Sequence, residues 1–90
     1  MNDKMTEVEV SSENDPCLLS ALPTGARGVL VSFNGGKGAW GKMASLGLTP
    51  GTEVAMVQNP RYGALIVLVR DIRIAIGRTE AQKIQMRRNA

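Results

Sequence analysis

Apolar and polar residues alternate over short stretches along most of this chain, the period of β-strands and not of long helices. Arg27 to Phe33 reads R-G-V-L-V-S-F, with Val29, Val31 and Phe33 on one face and Leu30 and Ser32 on the other. Glu53 to Gln58 sets Val54, Met56 and Gln58 against Ala55 and Val57, so alternation alone leaves its buried side open. Ala64 to Arg70 and Ile72 to Ile76 are two β-branched runs divided at Asp71. In the second, Ile72, Ile74 and Ile76 share a face opposite Arg73 and Ala75, and Ile84 to Met86 makes a fifth strand.

Helical spacing is confined to Gly38 to Gly47, where Ala39, Met43 and Leu46 recur on one face and Gly47 can end the helix. Gly41 weakens it by about 1 kcal/mol relative to alanine, so tertiary packing has to hold it. Thr79 is the expected cap of a single turn from Glu80 to Lys83. Turns fall at Leu22-Pro23-Thr24-Gly25, at Leu48 to Thr52 and at Asn59-Pro60-Arg61-Tyr62-Gly63, and Asn34 to Gly38 reads as a glycine loop. Short strands, glycine-rich turns and one main helix after the first strand predict a mainly β fold, a small barrel whose closure removes exposed edges. Its expected core includes Val29, Val31, Met43, Leu46, Ile72, Ile74 and Ile76.

The first 15 residues differ from the rest. They are rich in Ser, Asn and Glu, and hold five carboxylates against Lys4, a net of −4, which leaves +7 for residues 16–90 out of a total of +3. Val8 and Val10 could alternate onto one face of an added strand, but an unpaired two-valine strand has little to stabilise it against the entropy of ordering. The expectation is a flexible acidic extension over 1–15 and one folded, distinctly basic domain over 16–90.

Composition narrows the chemistry. The chain has 90 residues, room for one modest core, and its aromatics are Phe33, Trp40 and Tyr62. It has one cysteine, Cys17, and no histidine, which removes an intrachain disulfide, the commonest metal ligand and the commonest general base. The longest apolar run, Ala64 to Val69, is far short of the roughly 20 residues a membrane span needs, so a soluble, cytoplasmic protein is expected.

Gly36 to Lys42 matches the G-x-x-x-x-G-K of a phosphate-binding loop, but Met43 stands where that motif needs Ser or Thr for magnesium. Cys17 has no activating histidine and no second thiol, while Glu53, Asp71 and Glu80 form no ligand spacing. The expectation is therefore no catalysis, no cofactor and no metal site. Arg61, Arg70, Arg73, Arg78, Arg87 and Arg88 could make a basic face for phosphates, yet stacking partners are few and nucleic acid is the less favoured partner. Trp40 and Lys42, with the loop residues Gly35, Gly36, Lys37 and Gly38, form the candidate protein-contact surface, because a polar loop beside an aromatic combines adaptability with an anchor. The alternative is that Trp40 is a lid over the core and the loop a connector.

Leu22-Pro-Thr-Gly25-Ala-Arg-Gly28-Val-Leu-Val31, Met43-Ala-Ser-Leu46-Gly-Leu-Thr-Pro-Gly51, Ile72 to Ile76, and Glu80-Ala81 through Ile84 together resemble the FeoA family of ferrous-iron transport accessory proteins. The resemblance covers roughly Leu18 to Arg87, with L-G-L-T-P-G its strongest piece. It implies a small SH3-like β-barrel and a nonenzymatic cytoplasmic protein that binds FeoB, a membrane iron transporter with a cytosolic guanine-nucleotide-binding domain. A related module is the C-terminal domain of some iron-dependent repressors. Their helix-turn-helix region has no counterpart in this sequence, so a free-standing accessory protein is the better match. Homo-oligomers are compatible with it, and the alternative reading is a basic SH3-like adaptor for nucleic acid or another protein. The chain departs from the family pattern at Gly63-Ala64-Leu65, where Asp-Pro often follows the glycine, and at Asp71 and Gly77, where glycine and arginine are common.

Overall fold

A computed structural model describes residues 16–89; the acidic segment 1–15 lies outside the described residues. Six strands are present: β1 (Pro16–Leu18), β2 (Arg27–Phe33), β3 (Glu53–Gln58), β4 (Leu65–Val69), β5 (Ile72–Ile76) and β6 (Ile84–Arg88). A 3-10 turn (Leu19–Ala21) follows β1, helix α1 (Lys37–Ser45) follows β2, and the short helix α2 (Arg78–Ala81) follows β5. All pairings are antiparallel, in the order β1-β6-β2-β3-β4-β5. The expected strands are thus present, with β1 in addition, so that α1 follows the second strand and not the first. Among the described residues β1 and β5 end the ladder and do not pair with one another, whereas full closure was expected.

One polar hub draws these two ends together. Asn59, just after β3, donates from Nδ2 to the carbonyls of Ser20 (3.0 Å) and Leu22 (2.9 Å), which lie just after β1. Arg78, just after β5, donates from Nη2 to Asn59 Oδ1 (3.2 Å) and to the Pro60 carbonyl, and from Nε to the Gly63 carbonyl (3.2 Å). The ends of both edge strands are therefore bound to the β3–β4 connection, and the sheet curls without a closing ladder. Arg78 is occupied in this hub and is not the free surface cation expected from the sequence.

Leu19, Leu22, Leu48, Leu65, Val67, Ile84 and Met86 lie at the centre of the core with no exposed surface. On β3 the buried side is that of Val54 and Met56. Several expected core residues lie elsewhere. The β2–β6 ladder shifts register between Leu30 and Ser32, and this bulge reverses the alternation, so Gly28, Leu30 and Phe33 all face inward. Val31 is left 40 % exposed, and Val29 only half-buried. A side chain at position 28 would bring its Cβ to 2.9 Å from the Arg87 carbonyl, so only glycine fits under β6 there. Met43 and Ile76 are buried as expected, but Ile72 is 63 % exposed and Ile74 half-buried, because β5 is an edge strand with no neighbour on one side among the described residues.

L-G-L-T-P-G explains itself locally. Gly47 (φ 88°) ends α1, with Gly47 N–H donating to the Ala44 carbonyl (2.9 Å) and Leu48 N–H to that of Met43 (3.0 Å), the Schellman pattern. Leu48 then enters the core in place of Leu46, which caps the helix and is 40 % exposed. Thr49 to Thr52 make a type II turn with Gly51 at φ 91°, closed by Thr52 N–H to the Thr49 carbonyl at 3.0 Å. Gly51 N–H and the Thr52 carbonyl then bond to the carbonyl and N–H of Leu30 (2.8 and 2.9 Å), fixing the turn to β2 beside its bulge. The cap of α2 is Gly77 and not Thr79, since the helix starts at Arg78.

Two outcomes follow for stability. Leu65→Ala should cost about 2–5 kcal/mol in denaturant unfolding, whereas Ile72→Ala, on the open edge, should cost less than about 1 kcal/mol. Asn59→Ala should cost about 1–3 kcal/mol, because it leaves the Ser20 and Leu22 carbonyls without their donor and removes one of the three acceptors of the Arg78 guanidinium.

Candidate functional site

The candidate surface is built on α1 and the segment leading into it. Asn34 leaves β2 with its N–H bonded to the Lys83 carbonyl (2.7 Å), and the Gly36 carbonyl accepts from the N–H groups of Ala39 and Trp40 (both 3.1 Å) to begin the helix. The helix starts at Lys37, one residue before the expected Gly38, so Lys37 and Gly38 form its first turn, and Gly41 lies in its interior. A phosphate cradle needs its glycines ahead of the helix; only Gly35 and Gly36 are there. Gly35 has a packing role as well, since a Cβ at that position would come within 2.4 Å of the Phe33 ring.

Trp40 lies edge-on to Phe33, ring centroids 5.6 Å apart at 85°, half-buried against the core. It is a partial lid that keeps one exposed side. Gly36, Gly38 and Lys42 are exposed. Trp40 and Lys42 are two residues apart on a helix and so project on nearly opposite sides. What shares a face with Lys42 is Leu46, one turn on, exposed although its sequence spacing suggested core. The signal that could have found it is its place immediately before the helix-ending Gly47, where a side chain leaves the helical stripe.

The remaining candidate chemistry is dispersed. Arg27 and Glu53 pair at 3.6 Å on the open surface, a contact of small energetic weight. Arg61, Arg70, Arg73, Arg87 and Arg88 are exposed, but they lie on the β3–β4 loop, the β4–β5 turn, β5 and β6, not on one element. Among the described residues no three His, Cys, Asp or Glu side chains converge as metal ligands. Cys17 in β1 is half-buried; burial pushes its thiol up from the ordinary 9.0, with Arg88 pulling partly the other way. No described helix is long and apolar enough to cross a membrane.

The FeoA domain family model matches residues 17–88. This chain belongs to the FeoA family. A crystal structure of an iron uptake regulatory protein (FeoA) is 33 % identical, with a TM-score of 0.78 over 81 % of this chain and 97 % of that one. The FeoA of Stenotrophomonas maltophilia, solved with zinc and described as a prokaryotic SH3 domain protein, is 28 % identical, with a TM-score of 0.68 over 78 % and 88 % of the two chains. A manganese-dependent transcriptional repressor shares the fold alone, at 17 % identity and a TM-score of 0.77, and this chain spans 42 % of its length. No curated protein matches the chain.

The raised Cys17 pKa has a testable sign. The folded chain holds the thiol proton more tightly than the unfolded chain, so this contribution to stability is complete below the ordinary value of 9.0 and is lost as pH rises through the folded value. Thermal melts between neutral and alkaline pH should show wild type losing more Tm than Cys17→Ala.

Proposed function

We propose that this FeoA-family chain is a nonenzymatic accessory protein of ferrous-iron transport, acting in the cytoplasm by binding the cytosolic region of a FeoB-like transporter. The observation that carries the reading is the 33 % identity to an iron uptake regulatory protein across 97 % of that protein's length. The S. maltophilia relative, described as an SH3 domain protein, supports an SH3-like barrel here, curled by the Asn59 hub, with residues 16–90 as its domain. The contact surface is α1: Trp40 supplies an anchor already held in place by Phe33, so little side-chain freedom is lost on binding, and Gly36 and Gly38 allow close backbone approach. Lys42 and Leu46 offer a charged and apolar pair on the neighbouring face.

Binding of the full chain to the cytosolic region of its FeoB-like transporter, and in parallel to mixed RNA and DNA, tests this reading. The transporter region should bind and the nucleic acids should not; the reverse result would favour the basic adaptor. Trp40→Ala should weaken transporter binding by on the order of tenfold or more, and Lys42→Ala by less and in a salt-dependent way, with folding of each checked by circular dichroism. Unchanged affinity in both folded variants would reject the α1 surface.

A further inference from the structure

The open edge of β5 is the least explained part of the fold. Ile72, Ile74 and Ile76 stand opposite Val69, Val67 and Leu65 of β4, all buried, so they belong to the core layer. That layer continues outward uncovered: Ile76 is 3 % exposed, but Ile72 is 63 % exposed. Arg73, opposite Leu68, points to the other face and is exposed. An edge strand also directs alternate backbone N–H and C=O groups away from its neighbour, a template for one more strand. Any occupant should therefore alternate, apolar on the isoleucine side and acidic on the Arg73 side.

The chain contains such a segment. Thr6-Glu7-Val8-Glu9-Val10 alternates acid and valine with the required period, in a stretch of net −4 attached to a domain of +7. We propose that Glu7 to Val10 of the same chain add to β5 as a further edge strand, with Val8 and Val10 covering Ile72 and Ile74 and the glutamates beside Arg73. A slip of one residue would reverse every pairing, so the pattern specifies which face of the segment meets the isoleucines. Cross-strand apolar and opposite-charge pairs of this kind each stabilise the added strand modestly.

Reach permits it. From Val10 to Pro16 the polar linker Ser-Ser-Glu-Asn-Asp can extend about 20 Å. The edges of a flat sheet in this order would be about 24 Å apart. The hub that ties Ser20 and Leu22 to Arg78 brings the ends of β1 and β5 closer than that. A second copy of β5 is the competing occupant, but that strand contains no carboxylate to meet Arg73. The tethered segment also acts at a high effective concentration.

Backbone hydrogen exchange on full-length protein tests the proposal, at two protein concentrations. The β5 amides that do not bond to β4 should exchange at least about fivefold faster in a Val8→Pro/Val10→Pro variant, which cannot donate along the added strand. A Glu7→Lys/Glu9→Lys variant should lose the same protection, and adding Arg73→Glu should restore most of it. Both N-terminal variants leave the described core untouched. Equal exchange in wild type and the proline variant, or no rescue by the charge swap, would overturn the proposal. Protection that increases with protein concentration would overturn it in favour of a second copy.

Discussion

The structure depends on Asn59. A six-stranded antiparallel sheet with β1 and β5 at its margins has no hydrogen-bond ladder to hold it curved around a core this small. Asn59 replaces that ladder at one end. Its amide has two donors and an acceptor, and all are used: the donors on the carbonyls that follow β1, the acceptor on the guanidinium that follows β5. Its backbone N–H is also taken, by Thr24 Oγ1 at 3.1 Å. Arg78 in turn holds the Pro60 and Gly63 carbonyls, so the connection between β3 and β4 is fixed by the element that follows β5. A planar guanidinium suits three acceptors in different directions better than an ammonium does. The residues that make this hub come from three separate connections between strands, which is why no local window of sequence reveals it.

Strands β2 to β6 were legible, because β-branched residues at period two between Gly and Pro turns leave few other readings, whereas the three residues of β1 are too few to show a period. The inward face was less so. On β2 the alternation starting at Phe33 is correct for two residues and then fails at the bulge, where Val31 is the extra residue. A bulge preserves composition and hydrophobicity while changing parity, so a pattern argument has no access to it. Its physical cause lies in tertiary hydrogen bonds: Leu30 is held on both its backbone groups by Gly51 and Thr52, while β6 holds the opposite side. On β5 the alternation was right and the burial was not. Period two says which residues share a face, and only the neighbouring strand says whether that face is covered.

The candidate surface shows the same division. Trp40 could be read from sequence as either lid or anchor, and its half-buried, edge-on contact with Phe33 shows the lid while leaving one side exposed. The glycine run reads as a loop because glycines permit tight turns and are costly to order in regular structure, by about 1 kcal/mol each in a helix. Packing of Ala39, Trp40 and Met43 on the core outweighs that cost and draws Lys37 and Gly38 into the helix. Propensity is a weak term when a short helix has three side chains to bury.

The family motif is mostly a folding instruction. In Leu46-Gly47-Leu48-Thr49-Pro50-Gly51 the second glycine's φ, the proline, the buried leucine and the Schellman bonds are each needed to stop α1 and hook the chain onto β2. Such a motif constrains the backbone and not a partner, so it carries the fold without specifying what the fold does. Leu46 is the exception within it. The core does not need this side chain, since Leu48 fills the place, and a Gly stop imposes no requirement for an apolar residue at the preceding cap. Its 40 % exposure beside Lys42 is set by the helix stop itself, because the bonds from Gly47 and Leu48 back to Ala44 and Met43 turn the chain so that Leu48 and not Leu46 enters the core.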